Sequence, residues 1–319
     1  MGGKVIVVGA LNVDITLAVD RIPVVGETVI SSQVSRSSGG KGANQAYAAA
    51  RTARTAEVAM VGAVGADEAG DAQCAELGRA GVDVSRVRRV AEPTGLAMIA
   101  VDIAGGNIIV VAPGANAAPI DRRTLEFRTS DVVVLQLEIP FEQVRRVAKH
   151  ARSAGAYIVL NAAPAHASAK ALFAIVDLLV LNEPEAVQLL DVDVASSAEL
   201  SAAAAREKVD IIVTRGGNSI LMAFGSDGSV AEVPTHQVAV VDTVGAGDAF
   251  VGTLAAALAE GHTLNDAVSR ACAASAATVT VHGARHPELS ESLIERMALA
   301  AATPKRMPQL NPTIAKEHS

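Results

Sequence analysis

The chain has 319 residues and a formal net charge of −7, and half of its residues are hydrophobic although aromatics make up only 2% and Trp is absent. That length supports one large α/β domain or two small ones, with a core built mostly from Ala, Val, Leu and Ile. The acidic balance and the lack of a Lys/Arg-rich run exclude an electrostatic nucleic-acid binder, no apolar stretch reaches the roughly 18 residues that span a bilayer, and Cys74 and Cys272 match no metal spacing.

In chain order, Met1-Gly2-Gly3-Lys4 leads straight into Val5-Ile6-Val7-Val8, too short for a signal-peptide core and predicted as a first strand. A soluble cytoplasmic protein is expected. The strand ends in Gly9-Ala10-Leu11-Asn12-Val13-Asp14. Asn12 and Asp14 are two apart, so an extended chain points both the same way, and an amide beside a carboxylate suits vicinal sugar hydroxyls. Ile15–Val19 and Thr28–Ile30 read as strands without a long helix between them. Gly39-Gly40-Lys41-Gly42-Ala43-Asn44-Gln45-Ala46 then opens an Ala-rich helix. Its paired glycines admit a ligand close to the backbone, while Lys41 and Asn44 offer a cation and an amide to oxygen-rich ligands; a plain turn with a helix start fits the same residues.

Val58–Val61 is a further strand, and the arginines between Arg79 and Arg89 read as a solvated face. Leu96–Ile103 and Ile108–Val111, joined by Gly105-Gly106-Asn107, predict a hairpin. The segments near 13–37 and 94–113 thus form a small accessory sheet able to act as a lid. Strands follow at Val132–Leu137, Tyr157–Leu160, Leu178–Leu181 and Ile211–Thr214, separated by stretches of helical period such as Val144, Val147 and Ala148 with Arg145, Arg146 and Lys149 outside. Strand–helix alternation of this kind predicts an α/β fold with a mostly parallel sheet covered by helices on both faces. Chemistry in such sheets lies beyond the carboxyl ends of the strands.

The richest segment is Asp242-Thr243-Val244-Gly245-Ala246-Gly247-Asp248, read as following an alternating strand, Gln237–Val241, and preceding a helix with Phe250, Leu254 and Leu258 on one face. Gly245, Ala246 and Gly247 let backbone N–H groups converge at a helix N-terminus, which makes an anion hole suited to a phosphoryl group. Asp248 stands in the first helical turn, either as a cap or as a general base. No Walker A loop and no good G-x-G-x-x-G after the first strand is present. One domain is expected over 1–300, with a loose tail over 301–319 that carries Pro304, Pro308 and Pro312.

These motifs resemble the ribokinase-like (PfkB) carbohydrate kinases. Asp242–Asp248 is similar to the family's C-terminal signature and Gly39–Ala46 to its N-terminal one. Asn182-Glu183-Pro184-Glu185 resembles its N-x-x-E motif, and Pro113–Ala118 and Asn161–Ala165 extend the likeness over roughly residues 4–290. The resemblance implies a three-layer α/β/α sandwich with a β-lid, and ATP-dependent phosphorylation of the 5-hydroxyl of D-ribose. It implies that Asn12, Asp14, Gly40, Lys41, Asn44 and Glu138 hold the sugar, that Asp248 is the base, and that Gly245, Ala246 and Gly247 form the anion hole. Asn182 and Glu185 would place Mg2+ through water near the phosphates, a sparse i, i+3 pair that suits this ion; an acid offsetting the helix dipole is the other reading of Glu185. Thr214, Gly216 and Gly217 would contact ATP. Asp242 with carbonyls of Val244, Thr278, Val281 and Gly283 would hold an activating K+, unless Asp242 only pins its loop. A homodimer joined through open lid edges is expected. Nucleoside, fructose and ketodeoxygluconate kinases remain open within the family, and a non-catalytic sugar or nucleotide sensor outside it.

Overall fold

The computed structural model describes residues 2–121 and 125–302, the side chains of 299–302 excepted. The tail expected over 301–319 lies outside the described residues from 303 onward.

In chain order the elements are β1 (Val5–Val8), β2 (Asn12–Val19), β3 (Gln33–Gly39), α1 (Lys41–Thr52), β4 (Val58–Gly65), α2 (Glu68–Arg79), β5 (Val82–Val90), β6 (Gly95–Asp102) and β7 (Asn107–Ala112). There follow β8 (Val132–Leu135), α3 (Phe141–Ser153), β9 (Tyr157–Asn161), α4 (Lys170–Phe173), β10 (Leu178–Asn182), α5 (Glu183–Leu190), α6 (Ser197–Glu207) and β11 (Asp210–Thr214). The last are β12 (Ile220–Ala223), β13 (Val230–Val233), α7 (Ala246–Ala259), α8 (Leu264–Thr278) and α9 (Glu291–Ala302).

The main sheet runs β13-β12-β11-β10-β9-β8-β1-β4-β5 and is parallel from β11 to β5, with β12 antiparallel to both its neighbours. Its central strands are apolar on both faces because both are covered. In β1, Ile6 and Val8 pack with Val144, Val147, Leu189 and Leu200 from α3, α5 and α6. Val5 and Val7 pack on the opposite side with residues of α1, α7 and α8, among them Ala46, Phe250, Leu254 and Val268. Phe250 and Leu254 are 1% and 0% exposed, so each contributes about 1.5–3 kcal/mol by burial. The expected parallel sheet between helical layers is therefore what forms.

Two local expectations change and one gains detail. The arginines between 79 and 89 do line a solvated face: Arg79 ends α2, and Arg86, Arg88 and Arg89 lie on an edge strand, β5, whose Val82, Val84 and Val87 pack into the core. The strand placed at Thr28–Ile30 forms instead at Gln33–Gly39, where β2 offers a ladder partner from Asn12 to Ala18. The alternating stretch Gln237–Val241 forms no strand. The amides of Val241 and Asp242 both donate to the Val279 carbonyl, and no strand among the described residues receives the segment.

The second sheet, β3-β2-β6-β7, joins β2 parallel to β6 and closes both ends with antiparallel pairs. β2 leaves the main sheet at the carboxyl end of β1. The small sheet therefore stands beside the edge where β8, β9, β10 and β11 also end.

Candidate active site

Asp248 is the centre of the site. Helix α7 starts from Gly245, whose φ of 76° is left-handed and which supplies no side-chain cap. A Cβ on Gly245 would come within 2.3 Å of the Ala284 carbonyl, so glycine is required there by space as well as by backbone. A Cβ on Gly247, by contrast, would meet nothing within 4 Å, so its backbone borders free space. Asp248 is not the cap. It is 7% exposed, and its oxygens accept from two side-chain amides of α1, Asn44 Nδ2 at 3.1 Å and Gln45 Nε2 at 2.9 Å.

The approach of α7 to α1 makes this possible. Gly252, one turn beyond Asp248, faces the Gln45 carbonyl so closely that a Cβ would sit 2.3 Å from it. The small residues of both helices let their backbones close up, and Asp248 lands over Asn44 and Gln45. Gln45 is itself held by Gln136 Nε2, which donates to its Oε1 at 2.5 Å.

Lys41, Asp14, Glu138 and Glu185 surround the same space. Asp248 is the strongest influence holding the Lys41 ammonium above its ordinary range, against desolvation, with Glu138, Glu185 and Asp14 adding to it. Burial pushes the Asp14 carboxyl up to about 6, opposed first by Arg285 and reinforced by Asp248. Burial also raises Glu138, with Lys41 opposing, and the Lys41 backbone N–H donates to Glu138 Oε2 at 2.8 Å. Several carboxylates around one ammonium, in a cleft that disfavours their charge, mark a functional site.

Asn12 is buried, and its Oδ1 accepts from Asn116 Nδ2 at 2.7 Å. Asn116 also exchanges hydrogen bonds with the Leu11 backbone, fixing the β1–β2 junction. Gly40 caps α1 with a φ of 88° beside this junction.

Asn182 and Glu185 make a reciprocal capping box: Glu185 N–H donates to Asn182 Oδ1 and Asn182 N–H to Glu185 Oε2, each at 2.9 Å. Burial raises the Glu185 carboxyl, and Lys41 and Asp248 both act on it. One oxygen of Glu185 thus caps α5, while its carboxylate feels the charges of Lys41 and Asp248. Such a hard-oxygen pair fits an ion that keeps most of its waters.

Thr214 ends β11 and donates to the Leu181 carbonyl at 3.3 Å. Gly216 and Gly217 face open space. Arg215 ties Ser219 to Glu232 across the β12–β13 edge, a structural role for this side chain. Asp242 accepts from Val244 N–H at 3.0 Å and from Gly283 N–H at 2.9 Å, so it does pin two loops together. The pinned loops place one carboxylate beside the Thr278–Gly283 backbone, an all-oxygen donor set that fits a weakly hydrated monovalent cation. The Thr278 carbonyl accepts from Val281 N–H at 3.4 Å, which keeps that turn closed.

Gln45, Gln73, Asn116, Gln136 and Arg285 were not singled out by the motif reading. Gln45 and Asn116 lie inside segments that the motifs cover. For Gln73, Gln136 and Arg285 no local pattern exists, because their partners are distant in the chain.

A family model described as pfkB family carbohydrate kinase matches residues 3–291. The ribokinase of Staphylococcus aureus is 31% identical over 299 residues, covering 89% of this chain and 96% of that protein. The deoxyribokinase of Salmonella typhimurium is 31% identical over 290 residues, covering 87% and 92%. Among solved structures, Arabidopsis thaliana ribokinase complexed with ribose and ATP is similar with a TM-score of 0.84 at 30% identity, covering 93% of this chain and 99% of that one.

Proposed function

The chain belongs to the pfkB family of carbohydrate kinases, and from that membership we propose that it transfers the γ-phosphoryl group of ATP to the 5-hydroxyl of D-ribose. The observation that carries the reading is Asp248. A carboxylate at a helix start that is not used as a cap, is held by two amides and stands next to open glycine backbone is arranged to take a proton from a hydroxyl.

Asn12, Asp14, Gly40, Lys41, Asn44 and Glu138 hold the sugar hydroxyls. Asp248 accepts the proton of the attacking hydroxyl. The backbone N–H groups of Gly245, Ala246 and Gly247, at the positive end of α7, receive the charge of the phosphoryl group in flight. Thr214, Gly216 and Gly217 face the nucleotide. Transfer is direct and in line, with no covalent enzyme intermediate. Residues 1–300 act as one kinase domain in which the small sheet serves as a lid that excludes water. Asn182 and Glu185 would hold Mg2+ through its waters, and Asp242, with the carbonyls of Val244, Thr278, Val281 and Gly283, would hold K+. The chemistry Mg2+ would supply there is charge neutralisation at the phosphates; K+ would add a positive charge beside the loops that Asp242 pins.

Two copies pair through their lids. Among the described residues, strand β7 has β6 on one side only, and all its residues are exposed, Ile108 to Val111 at 48–63%. A bare apolar edge of this kind is normally covered. The reaction belongs in the cytoplasm, where ATP is at hand; among the described residues no helix is long and apolar enough to cross a membrane.

The likeness to a deoxyribokinase favours 2-deoxy-D-ribose as a second acceptor. The deciding experiment measures ADP release with Mg·ATP and D-ribose, 2-deoxy-D-ribose, fructose, ketodeoxygluconate or adenosine, each with and without K+. Turnover with ribose that rises with K+ is the expected outcome. Turnover with another acceptor alone replaces the substrate, and sugar binding without turnover makes the protein a sensor.

A further inference from the structure

Arg285 lies two residues beyond Gly283, in the loop after α8, and its side chain is 6% exposed. Its Nε donates to Asn44 Oδ1 at 3.0 Å, and its Nη2 donates to Gln73 Oε1 at 3.1 Å. Its Nη1 stands 3.0 Å from Glu76 Oε1, a charge contact without hydrogen-bond alignment, so Nη1 itself has no hydrogen-bond partner among the described residues. The guanidinium also stacks over Tyr47, 5.5 Å from the ring centre. Gln73 is fully buried, and its Nε2 donates onward to the carbonyls of Asn12 and Gly39.

Arg285 therefore ties α1 to α2 directly and, through Gln73, reaches the start of β2 and the end of β3. Asn12 in β2, Gly40 just after β3 and Asn44 in α1 are residues given to the sugar above. The donor inventory adds a direction. A guanidinium only donates and a carboxylate only accepts. With Arg285 on one side and Asp248 on the other, the Asn44 amide has a single workable orientation, oxygen to Arg285 and nitrogen to Asp248. The second hydrogen on Asn44 Nδ2 is then left for a ligand.

From these contacts we infer that Arg285 is a positioning residue, which fixes the Asn44 amide and sets the sugar-side segments in register with Asp248. This rests on the kinase reading of the site. No partner of Arg285 belongs to the loop of Thr214, Gly216 and Gly217, so the effect falls on the sugar and not on the nucleotide. Arg285 is also the first of the charges that oppose the upward push on Asp14. Asp14 faces Arg285 from the loop after α8, Asp248 from α7, Lys41 from α1 and Glu138 from beyond β8. Losing the guanidinium leaves Asp14 harder to ionise.

The test compares Arg285→Gln, Arg285→Lys and Glu76→Gln with the parent, reading kcat and both KM values, the pH profile and Tm. In Arg285→Gln, kcat/KM for the accepted sugar falls about 10- to 100-fold while KM for ATP stays within about twofold, as expected when a charged hydrogen-bond partner is lost from one subsite only. Its acid limb for the sugar moves to higher pH. Arg285→Lys keeps the limb and loses less. Glu76→Gln, which leaves the Asn44 contact in place, changes the sugar parameters least. Equal losses for sugar and ATP together with a lower Tm overturn the proposal, as does an unchanged sugar KM and kcat. If the parent phosphorylates no acceptor, the kinase reading fails by itself. The brace is then judged on crystal structures: loss of the Asn44–Asp248 contact in Arg285→Gln supports it, and retention overturns it.

Discussion

Asp14 shows how the site trades stability for a function. Its carboxyl is raised from 3.8 to about 6, chiefly by burial. The folded state therefore holds this proton more tightly than the unfolded chain does. Ionisation of Asp14 subtracts stability above about pH 6, and subtracts nothing below the unfolded value, where both states are protonated. Asp14→Asn is expected to raise Tm at about pH 8, with the difference closing towards about pH 4, in thermal melts across that range. Under the proposed function, the same ionisation would make Asp14 an acceptor for sugar hydroxyls. For the parent, kcat/KM for the sugar is expected to fall about tenfold per pH unit below the Asp14 pKa, while KM for ATP moves less. Asp248 is the second residue-scale case. Asp248→Asn keeps the shape of the side chain but cannot take a proton. A loss of about 10²–10⁴-fold in kcat, with ATP affinity retained by calorimetry, is the expected result.

At the scale of elements, the decisive contact is that of α1 with α7. Gly252 lets the two backbones meet at the Gln45 carbonyl, and this sets where Asp248 stands. Gly252→Val forces the helices apart and is expected to lower kcat and Tm together, since the hydrogen bonds from Asn44 and Gln45 stretch as the packing loosens. Gly78, inside α2, is the control. A Cβ there meets nothing within 4 Å, so Gly78→Ala is expected to leave activity unchanged and to stabilise by about 0.5–1 kcal/mol in denaturant melts. The motifs named both helices from their own residues. They could not reveal that Gly252 is the contact point, because a helical glycine reads locally as a weakness.

For the whole molecule, the open question is how the small sheet is covered. The apolar edge of β7 predicts a dimer, with twice the chain mass in light scattering. Ile109→Lys places a charge on that edge and is expected to give a monomer with a raised KM for the sugar, as the lid loses its support. A monomeric parent rules this pairing out. Much of the architecture was legible in advance. The alternation of Val/Ile runs with Ala-rich helical stretches predicted a covered parallel sheet, and Gly105-Gly106-Asn107 predicted the β6–β7 hairpin. β5 was masked by its arginines, which an edge strand tolerates on its outer face. The run Gln237–Val241 has the period of a strand but, among the described residues, no neighbour to pair with, and periodicity alone does not supply one.

The sequence by itself determined the local chemistry: Asp248 behind Gly245 and Gly247, Lys41 and Asn44 behind Gly40, and the Asn182–Glu185 spacing that closes as a capping box. Each of these depends on residues within one turn or one loop, where backbone geometry follows from neighbours in the chain. The tertiary structure alone decided that Asp248 is held by α1 and is not the cap of α7, and that Arg285 braces Asn44 and Gln73. Asn44 and Asp248 are 204 positions apart, and Asn44 and Arg285 are 241 apart. No local propensity encodes a hydrogen bond at such a separation. It exists because α1, α7 and α8 pack on one face of the sheet, and burial of their small apolar residues brings those polar ends to a common edge.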